Sequence, residues 1–553
     1  MTNLKQLLAS ADAAATADAV NAEGAPAWTM RDTDRLVQLS MTGTLGPSFY
    51  ASRSELTADA VKLLRRAEPH ALADAIARGR SAGFVRSFPI LGLVFLSRKD
   101  PALFRETFPK VVLTGGDLGD FLDLAHQVRG IGRGVKAAVA AWIRDKATPY
   151  YAQKYRRQLA DALRLCHLRG GDNPLFAWIL AARGGSRRAD ASRVAEAEAA
   201  HPALAARRDF IRAVEAGDEA ACLRLLDADG LDLDSLSNWH DRFTPALWKA
   251  AARRMPTMRF LKSLGKLRRE DALEEETWRR KLTPEKLRAA RVFPFRLYSA
   301  WAALLPPPTL PNVDLFALIR QYRKAHPEAD PRECRRYVDG ERMRQREETL
   351  RQRKEQAGAL GGHLAATLDS YARAFDWGAF NRGSWVVAPD VSLSMRSPIG
   401  QSSNLCFADV AGMFTGFFSV GLRQVTVLPF HTEVNPYSLG REASVLDHIC
   451  AIGGMTGGGT FMEAPLEKML RENIRVDNAL FITDSMEWGE GWLGHWKQYR
   501  RRNPRARAFL LRLDSYATQP FPPAEADSIG IHQIFGWSDA VVDYMRLVLE
   551  TAA

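Results

Sequence analysis

The sequence predicts an α + α/β protein in which a long helical part is followed by a doubly wound α/β domain. Before about residue 380, apolar residues recur at spacings of three and four between Gly, Pro and Asp, as in consecutive amphipathic helices. Beyond that point, short β-branched runs alternate with stretches long enough for helices, which indicates a parallel sheet. Because 553 residues exceed one ordinary core, we expect a helical domain at 1–370 and an α/β domain at 380–553.

The helical part is predicted to be a succession of short antiparallel helices, an α-solenoid without a visible repeat period. Residues 1–25 are mildly helical, and Ala213–Leu226 is similar to a single ankyrin-type helix pair. Pro306-Pro307-Pro308 interrupts the pattern, and the densely charged stretch Phe316–Gln356 indicates a solvated helix or connector. The clearest helices are predicted at Ala58–Arg66, Pro69–Gly79, Leu118–Gln127, Gly134–Lys146, Gln153–Leu165 and Pro174–Ala182.

The α/β domain is predicted from five apolar strands and the helices between them. Helices are expected at Phe407–Val420 and Phe461–Leu470. In doubly wound sheets, ligands bind beyond the carboxyl ends of the strands. The strands are predicted at Ser384–Ala388, Val425–Phe430, Ala479–Thr483, Ala508–Leu513 and Ile531–Phe535.

Oxygen-bearing side chains follow two of these strands and one glycine run. Asp390, Ser392 and Ser394 come directly after the first strand, Thr460 follows Gly457-Gly458-Gly459, and Asp484 ends the strand Ala479–Thr483. Carboxylate and hydroxyl oxygens suit a hard divalent cation, and Mg²⁺ is the expected ion. The alternative for Asp390–Ser394 is an ordinary polar turn closed by an Asx hydrogen bond.

The charge of the chain is unevenly distributed. The net charge is +12, but residues 371–553 contain 16 Lys and Arg against 19 Asp and Glu, so the first 370 residues carry +15. A basic body of this kind suggests a polyanionic partner, of which an RNA or DNA backbone is the most common. Solvated helix faces are the alternative explanation for much of that charge.

Several classes of protein are disfavoured by composition. The sequence has no apolar run of about 18 residues and no evident secretory signal, so we expect no membrane association. Five scattered cysteines lack zinc-like spacing and fit a reducing cytoplasm as small buried residues. Gly457–Gly459 lacks the ending of a P-loop, and we find no nucleophile triad, so we do not expect an enzyme.

Two parts of the sequence resemble known domains. The order Asp-x-Ser-x-Ser, Thr, Asp resembles the metal-ion-dependent adhesion site of von Willebrand factor A domains, with Leu393 in place of the small residue that often separates the serines. The first part resembles the TROVE domain of the 60-kDa Ro autoantigen and its bacterial relatives. The segments that carry this resemblance are Trp28–Leu36, Gly43–Tyr50, Val128–Gly134 with Trp142, Lys154–Arg157 with Leu165–Arg169, and Met255-Pro256 through Leu261 to Arg291–Pro294.

The resemblance implies a monomeric, ring-shaped, HEAT-like α-helical repeat (TROVE) domain closed by a von Willebrand factor A domain. Its implied function is an RNA-binding scaffold in RNA quality control. Small noncoding Y-like RNA would lie on the outer ring surface, and single-stranded 3′ ends of misfolded RNA would enter the cavity. It also implies an exoribonuclease partner such as polynucleotide phosphorylase. A metal-dependent protein-binding adaptor is the alternative function.

The resemblance places the outer RNA contacts at Lys154, Arg157 and His167, within a Lys-Tyr-basic segment followed by a His-Leu-basic segment. The sequence between these segments is shorter than in animal members, so Arg156 is an alternative to Arg157. The alternatives to binding are a solvated basic helix face and, for His167, a satisfied core histidine near a helix end.

A second group of candidate RNA contacts comes from the residues themselves. Arg129, Arg133 and Lys136 flank a glycine-punctuated helix start, which offers both amide donors and cations to phosphate. A tight turn between two helices is the alternative interpretation of this segment.

Overall fold

The chain forms two compact units in a computed structural model that describes residues 17–43, 51–169, 173–181, 191–226, 231–305, 315–400, 403, 405–485, 491–538 and 540–551. The helical unit comprises residues 31–260 and 266–277, and the mixed unit comprises residues 1–30, 261–265 and 278–553. The domain boundary predicted at 370–380 therefore lies inside the mixed unit.

The described residues between 31 and 281 are helical apart from short connections and a 3₁₀ segment at Leu233–Arg242. Helix starts follow the sequence chemistry, since Ser52 and Glu55 form a capping box, as do Thr114 and Asp117. The helices are α1 Asp32–Thr42, α2 Arg53–Arg66, α3 Pro69–Ser81, α4 Ser87–Lys99, α5 Pro101–Val111, α6 Gly115–Val128, α7 Arg133–Lys146, α8 Pro149–Lys154, α9 Arg156–Leu165, α10 Pro174–Leu180, α11 Ala191–Ala200, α12 Pro202–Ala216, α13 Glu219–Leu226, α14 Pro245–Arg254, α15 Thr257–Arg269 and α16 Glu275–Lys281.

The predicted helices of this unit are confirmed, with one exception, and the helix predicted at Pro174–Ala182 ends at Leu180, with Ala182 outside the described residues. The predicted helix Gln153–Leu165 is two helices, because Tyr155 (φ −117°, ψ 29°) ends α8 before α9 begins. The apolar period continues through Tyr155, so the sequence pattern does not show the break. The pair expected at Ala213–Leu226 is present, and Gly217 adopts the left-handed conformation (φ 73°) that joins α12 to α13.

One continuous hydrophobic core runs through the helical unit from Leu36 to Leu204. Phe104, Phe108 and Phe121 contact one another at its centre, with ring centroids 5.1–5.9 Å apart. The stripe of apolar residues on each helix is thus buried against its neighbours in sequence, as expected for stacked helix pairs.

The first described residues of the mixed unit form strands, whereas a helix was expected at residues 1–25. β1 (Ala19–Val20) pairs antiparallel with β2 (Pro26–Thr29), and Asn21 closes the turn by accepting the Glu23 and Ala25 amides at 3.0 Å. The helical expectation is therefore wrong for residues 17–25, because the Asx-type turn and strand pairing outweigh local alanine content. Residues 1–16 and 44–50 lie outside the described part of the chain.

The remaining strands form two sheets. β3 (Trp385–Pro389), β4 (Val425–Val427), β5 (Asn478–Thr483), β6 (Arg507–Arg512) and β8 (Ile531–Phe535) form a parallel sheet in the order β4-β3-β5-β6-β8, whereas β7 (Thr518–Gln519) pairs with β2. The predicted strand Val425–Phe430 is regular only to Val427, although Leu428 and Phe430 still donate to β3 carbonyls at 2.9 and 3.0 Å. All five predicted strands are thus confirmed, one of them shortened.

Helices cover both faces of the parallel sheet. Trp385 contacts Phe418 on one face, while Val386 packs with Met469 and Trp496 on the other, as strand alternation requires. The helix predicted at Phe461–Leu470 begins later, at Ala464. The helices of this part are α17 Pro284–Ala289, α18 Pro294–Ala302, α19 Leu315–Ala325, α20 Pro331–Ala374, α21 Phe407–Gly421, α22 Val445–Gly454, α23 Ala464–Arg471, α24 Trp492–Arg502 and α25 Ala540–Thr551.

The charged connector is largely helical. α19 and α20 contact each other through Tyr322 and Tyr337, whose rings stack at 4.4 Å. α20 is interrupted at Gly358 (φ 64°, ψ −160°), a backbone conformation open in practice only to glycine. Residues 306–314, with the proline run, lie outside the described part of the chain. No described helix combines the length and apolar composition needed to cross a membrane.

Gly421→Ala is expected to destabilise the mixed unit, because an added Cβ would lie 2.1 Å from Cε2 of the buried Trp377 ring. Overpacking of this kind costs about 1–3 kcal/mol. Gly362→Ala in exposed α20 is the matched control, since its Cβ would meet no atom within 4 Å and should add up to about 1 kcal/mol of stability. Calorimetric unfolding separates the two, and Tm shifts of the same sign would contradict this packing account.

Candidate functional site

The predicted metal residues lie at the carboxyl edge of the parallel sheet. Asp390 directly follows β3, and its amide donates to the Ile482 carbonyl of β5 at 2.8 Å. β3 and β5 are parallel with Pro389 opposite Ile482, so Asp390 and Asp484 both leave the sheet at the same edge. Both carboxylates are buried.

The Asp390 carboxylate is held on both oxygens. The Ser392 amide donates to Oδ1 at 2.8 Å, and the Thr483 hydroxyl donates to Oδ2 at 2.6 Å. Burial raises the Asp390 pKa to about 6, against the lowering effect of these two hydrogen bonds. A nearby cation would favour the charged form of this carboxylate. The Ser392 bond also has the i to i+2 form of an Asx turn, so the hydrogen bond of the polar-turn alternative is present.

The two predicted serine ligands meet. Ser392 Oγ and Ser394 Oγ are 3.1 Å apart and both side chains are buried, although Leu393 between them is 45% exposed. The 3₁₀ turn Leu393–Arg396 produces this arrangement, because it directs Leu393 outward while both serines point inward. The structure thus brings Asp390, Ser392 and Ser394 together.

The glycine run brings Thr460 to the same edge. Gly457 donates to the Val391 carbonyl at 2.8 Å and Leu393 donates to the Gly458 carbonyl at 3.1 Å, which fixes the run against the Asp390 loop. Gly458 is left-handed (φ 74°). The Thr460 hydroxyl is buried and has no hydrogen-bond partner among the described residues.

The donor set fits a hard divalent cation. Two carboxylates and three hydroxyls, all buried, lie in segments at one edge of the sheet, and a buried hydroxyl without a partner, such as that of Thr460, is costly unless something accepts or coordinates it. Within the described ranges, no three His, Cys, Asp or Glu residues come together as an alternative metal cluster. The residues that would hold the ion are Asp390, Ser392, Ser394, Thr460 and Asp484.

Three residues at this edge were not predicted from the sequence. Thr483 positions Asp390. Its sequence position does not reveal this role, because threonine is a common residue in β-strands. Arg396 is exposed and is held by Thr456 through its Oγ1 and carbonyl, both at 2.8 Å. His431 lies over the glycine run, since a Cβ on Gly458 would be 3.3 Å from its ring. Arg396 could have been predicted from the sequence, because a cationic residue stands only two positions after the candidate ligand Ser394.

Among the predicted RNA contacts, Lys154 is already engaged by protein groups. Its ammonium lies 2.8 Å from the Asp234 carboxylate and 2.7 Å from the Tyr150 hydroxyl. Burial alone would lower the Lys154 pKa, but the hydrogen bonds to Asp234 and Tyr150 raise it above its ordinary value. Asp234 also pairs with Arg259, so one carboxylate is shared by two cations.

The two adjacent arginines differ in their surroundings. The Arg156 guanidinium stacks 3.7 Å over the Trp178 ring and donates to the Trp178 carbonyl at 2.5 Å. Burial lowers the Arg156 pKa to about 9, and the charge of Arg207 contributes. Arg157 is exposed, and no ion pair joins it to another described residue. Of the two alternatives, Arg157 is therefore the accessible cation.

The two predicted groups of RNA residues touch each other. Lys136 Nζ lies 3.2 Å from His167 Nε2, so the helix start at α7 and the end of α9 form one surface. His167 is exposed and left-handed (φ 58°) just after α9, which excludes the core-histidine alternative and supports its place near a helix end. Arg133 is also exposed.

Arg129 is bound by protein groups, whereas the start of α7 is accessible to a ligand. Arg129 donates to the Ser97 carbonyl at 3.1 Å and to the Ser97 hydroxyl at 2.8 Å, so it joins two helices. Arg133 begins α7, whose first turn has no acidic residue and no side-chain cap at Gly132. The amides of this helix start remain directed outward, beside a cation.

Arg144 is a further cation of this surface and was not predicted from the sequence. Burial raises the pKa of the Cys166 thiol to about 11, and the charges of Lys136 and Arg144 oppose that rise, so both lie near Cys166. Spacing of eight residues on α7 places Lys136 and Arg144 on one helix face, and this spacing was the available signal. All five cysteines are free thiols; Cys222 and Cys334 are buried and the other three are partly exposed.

Thr483→Val is expected to weaken divalent-cation binding by about tenfold or more, because an outer partner that orients a metal ligand contributes about 10–100-fold to affinity. The change preserves side-chain shape and removes only the hydroxyl that holds Asp390. Thr415→Val is the matched control, since Thr415 is equally buried and donates to the Ala411 carbonyl within α21. Titration calorimetry with Mg²⁺ and Mn²⁺ measures both, and equal affinities for the two variants would refute this role of Thr483.

Comparison with known proteins identifies a solved structure with the same fold. No family model matches the sequence, and no curated protein matches it either. Among solved structures, the crystal structure of the Deinococcus radiodurans Ro (RSR) protein superposes with a TM-score of 0.56 at 17% sequence identity. The match covers 95% of this chain and 100% of that protein. The chain therefore has the fold of this bacterial Ro protein over nearly its whole length.

Proposed function

We propose that the chain is an RNA-binding scaffold of the Ro type that acts in RNA quality control or processing. The observation that carries this proposal is the shared fold with a bacterial Ro protein along 95% of the chain. The charge of +15 in the first 370 residues supports it, because phosphate contacts from Lys and Arg supply sequence-independent affinity.

The proposed contact surface on the helical unit consists of exposed or partly exposed cations. Arg133, Lys136 and Arg144 lie on α7, Arg157 lies on α9, and His167 joins the two helices through Lys136. Their guanidinium and ammonium groups bind phosphates, and the amides at the α7 start add neutral donors. Lys154, Arg156 and Arg129 act behind this surface, because each is already bound to protein groups and positions a neighbouring element.

The finer assignment is part of the same proposal. A small, structured, Y-like RNA would bind as a tethered partner, and single-stranded 3′ ends of misfolded RNA would be captured for a bound exoribonuclease. Binding and release suffice for this role, so no described side chain needs to act as an acid, base or nucleophile. Mg²⁺ is proposed for the carboxyl-edge site, where it would supply a coordination position for an oxygen ligand.

The second candidate function is a metal-dependent protein-binding adaptor. It is favoured by the exposed Leu393 beside the buried donor set, because an apolar residue at the mouth of a cation site suits a protein side chain. A partner carboxylate would complete the metal coordination while Leu393 and Arg396 contact the same partner. The two functions are compatible, since they use different surfaces.

The test of the proposed function is affinity for a folded small RNA, with and without a single-stranded 3′ tail of about ten nucleotides. We expect both RNAs to bind, and the tailed RNA to bind more tightly, because unpaired nucleotides add contacts that a closed stem lacks. Asp390→Ala should abolish divalent-cation binding and leave both RNA affinities within about twofold, since the cations of the RNA surface lie elsewhere. Fluorescence anisotropy measures RNA binding and calorimetry measures metal binding.

Two results would contradict this division. Absence of RNA binding by the wild-type chain at low salt would reject the RNA scaffold. An Asp390→Ala variant that remains folded but loses RNA affinity together with metal affinity would show that RNA binds through the metal site instead.

Arg157→Ala and Arg156→Ala provide a matched pair with the same charge change. Arg157→Ala should reduce the slope of log affinity against log salt by about 0.7–0.9, the contribution of one phosphate contact. Arg156→Ala should leave that slope unchanged and lower Tm, because it removes the cation stacked on Trp178. Salt titrations by anisotropy and thermal unfolding measure both quantities, and the reverse outcome would make Arg156 the RNA contact.

A further inference from the structure

The parallel sheet of the mixed unit has a second charged edge, opposite the metal residues. Strands of a parallel sheet all begin at one edge, about 4.8 Å apart. Four of the five strands are led by arginine, with Arg423 before β4, Arg382 before β3, Arg475 before β5, and Arg505 and Arg507 at the start of β6. These strand-leading arginines span about 14 Å of the edge.

Hydrogen bonds show that the segments carrying these arginines are contiguous. Arg423 donates its amide to the Asn381 side chain at 3.0 Å, which places it beside Arg382. Ser384 donates to the Asp477 carboxylate at 2.8 Å, and the Arg507 amide donates to the Asp477 carbonyl at 2.9 Å. The starts of β4, β3, β5 and β6 therefore form one continuous surface.

Two helices bring more arginines to the same edge, because helices that connect parallel strands run back and end where the strands begin. α23 ends at Arg471, and α24 ends at Arg500, Arg501 and Arg502. The Arg502 guanidinium donates to the Leu470 carbonyl at 3.0 Å, and Asn503 donates to the Val476 carbonyl at 2.6 Å. We call the strand-leading and helix-ending arginines together the basic edge.

The basic edge is not neutralised by its surroundings. Within the described part of the chain, Arg471 is the one of these nine arginines that has an ion pair, with Glu472 at 3.4 Å. Asp477 and Asp527 also lie near the edge, and Asp477 accepts hydrogen bonds from Ser384. Residues 371–553 carry a net charge of −3 while including nine basic-edge arginines, so the remainder of that segment carries −12.

Helix dipoles explain only part of this arrangement. An arginine in the last turn of a helix interacts with the terminal carbonyls and contributes about 0.3–1 kcal/mol, which accounts for Arg471 and the arginines ending α24. The strand-leading arginines gain nothing from a helix end. Arg475, Arg501 and Arg505 are exposed, and burial with the charge of Arg507 lowers the pKa of Arg500, so like charges face one another here. Such repulsion is relieved by a bound anion.

The geometry points to base-paired RNA as the ligand of the basic edge, bound through its phosphates as a second RNA surface that rests on the proposed RNA-binding function. Arginine binds phosphate oxygens with two parallel hydrogen bonds, and a surface about 14 Å long meets several successive phosphates. Single-stranded RNA is disfavoured as ligand, because it binds largely by stacking on exposed aromatic rings. Of the described aromatic residues near this edge, Trp496, Tyr499 and Phe509 are buried, whereas Tyr544, close to Asp527, is 40% exposed.

The test compares two triple variants of the full chain, each of which removes three positive charges. The first is Arg475→Ala, Arg501→Ala and Arg505→Ala at the basic edge. The control is Arg344→Ala, Arg351→Ala and Arg373→Ala, at exposed positions of α20. The probes are a blunt RNA duplex of about 20 base pairs, a 20-nucleotide oligo(U) and polyglutamate, titrated at several salt concentrations.

We expect the basic-edge variant to bind the duplex about tenfold more weakly or worse, with a salt slope reduced by about 2–3, and to keep its oligo(U) affinity within roughly threefold. The control variant should bind the duplex as the wild type does, and both variants should unfold at the wild-type Tm.

Several outcomes would overturn the inference. Equal loss of duplex affinity in both variants would show that only net charge matters. Wild-type duplex affinity in the basic-edge variant, with loss of polyglutamate binding, would identify an acidic protein as the ligand. A wild-type chain that binds neither RNA would reject the proposed function together with this surface, whereas a wild type that binds RNA beside an unaffected variant would reject this surface alone.

Discussion

The parallel pairing of β3 with β5 is the constraint on which both charged regions of the mixed unit depend. With Pro389 opposite Ile482, the residues after the two strands must emerge side by side, and Asp390 and Asp484 occupy those positions. The same pairing gathers the strand starts at the other edge. Parallel pairing therefore places the carboxylates of Asp390 and Asp484 at one edge of the sheet and the strand-leading arginines at the opposite edge. Burying Asp390 is unfavourable by itself, and the Thr483 hydroxyl and Ser392 amide offset part of that cost.

The sequence identifies the candidate ligands at the carboxyl edge but not the residues that support them. Asp390, Ser392, Ser394, Thr460 and Asp484 are recognisable because their chemistry is unusual at strand ends and after glycine. Thr483 is not recognisable, because a threonine that ends a strand is also a common β residue. Its role depends on which strand lies beside β3, and strand order is a property of the fold rather than of local composition. The strands at residues 19–29 were not predicted for the same reason. β1 pairs with β2 across a tight turn, and β2 pairs with β7, which is distant in sequence.

The RNA surface shows a different limit of sequence interpretation. Arg156 and Arg157 are chemically identical neighbours, and helical periodicity directs one toward Trp178 and the other toward solvent. The choice between them required knowing where α10 lies, because Trp178 belongs to that helix. Lys154 is similar, since its partner Asp234 is 80 residues away in sequence and lies in the 3₁₀ segment. Basic motifs thus locate a surface, whereas packing decides which cations on it are accessible.

The pairing of β2 with β7 has a consequence for synthesis on the ribosome. Trp28 faces Gln519 across these strands, and Met30 donates its amide to the Ala517 carbonyl at 3.0 Å. β2 is therefore made long before its partner β7, since about 490 residues separate the two strands. At about 5–20 residues per second, that delay is roughly 25–100 seconds. During this interval β2 is paired with β1 on one side only, and its other edge is exposed, which is a hazard for aggregation. The helical unit contains its own core and is made in between, so it can complete its folding before the mixed unit closes.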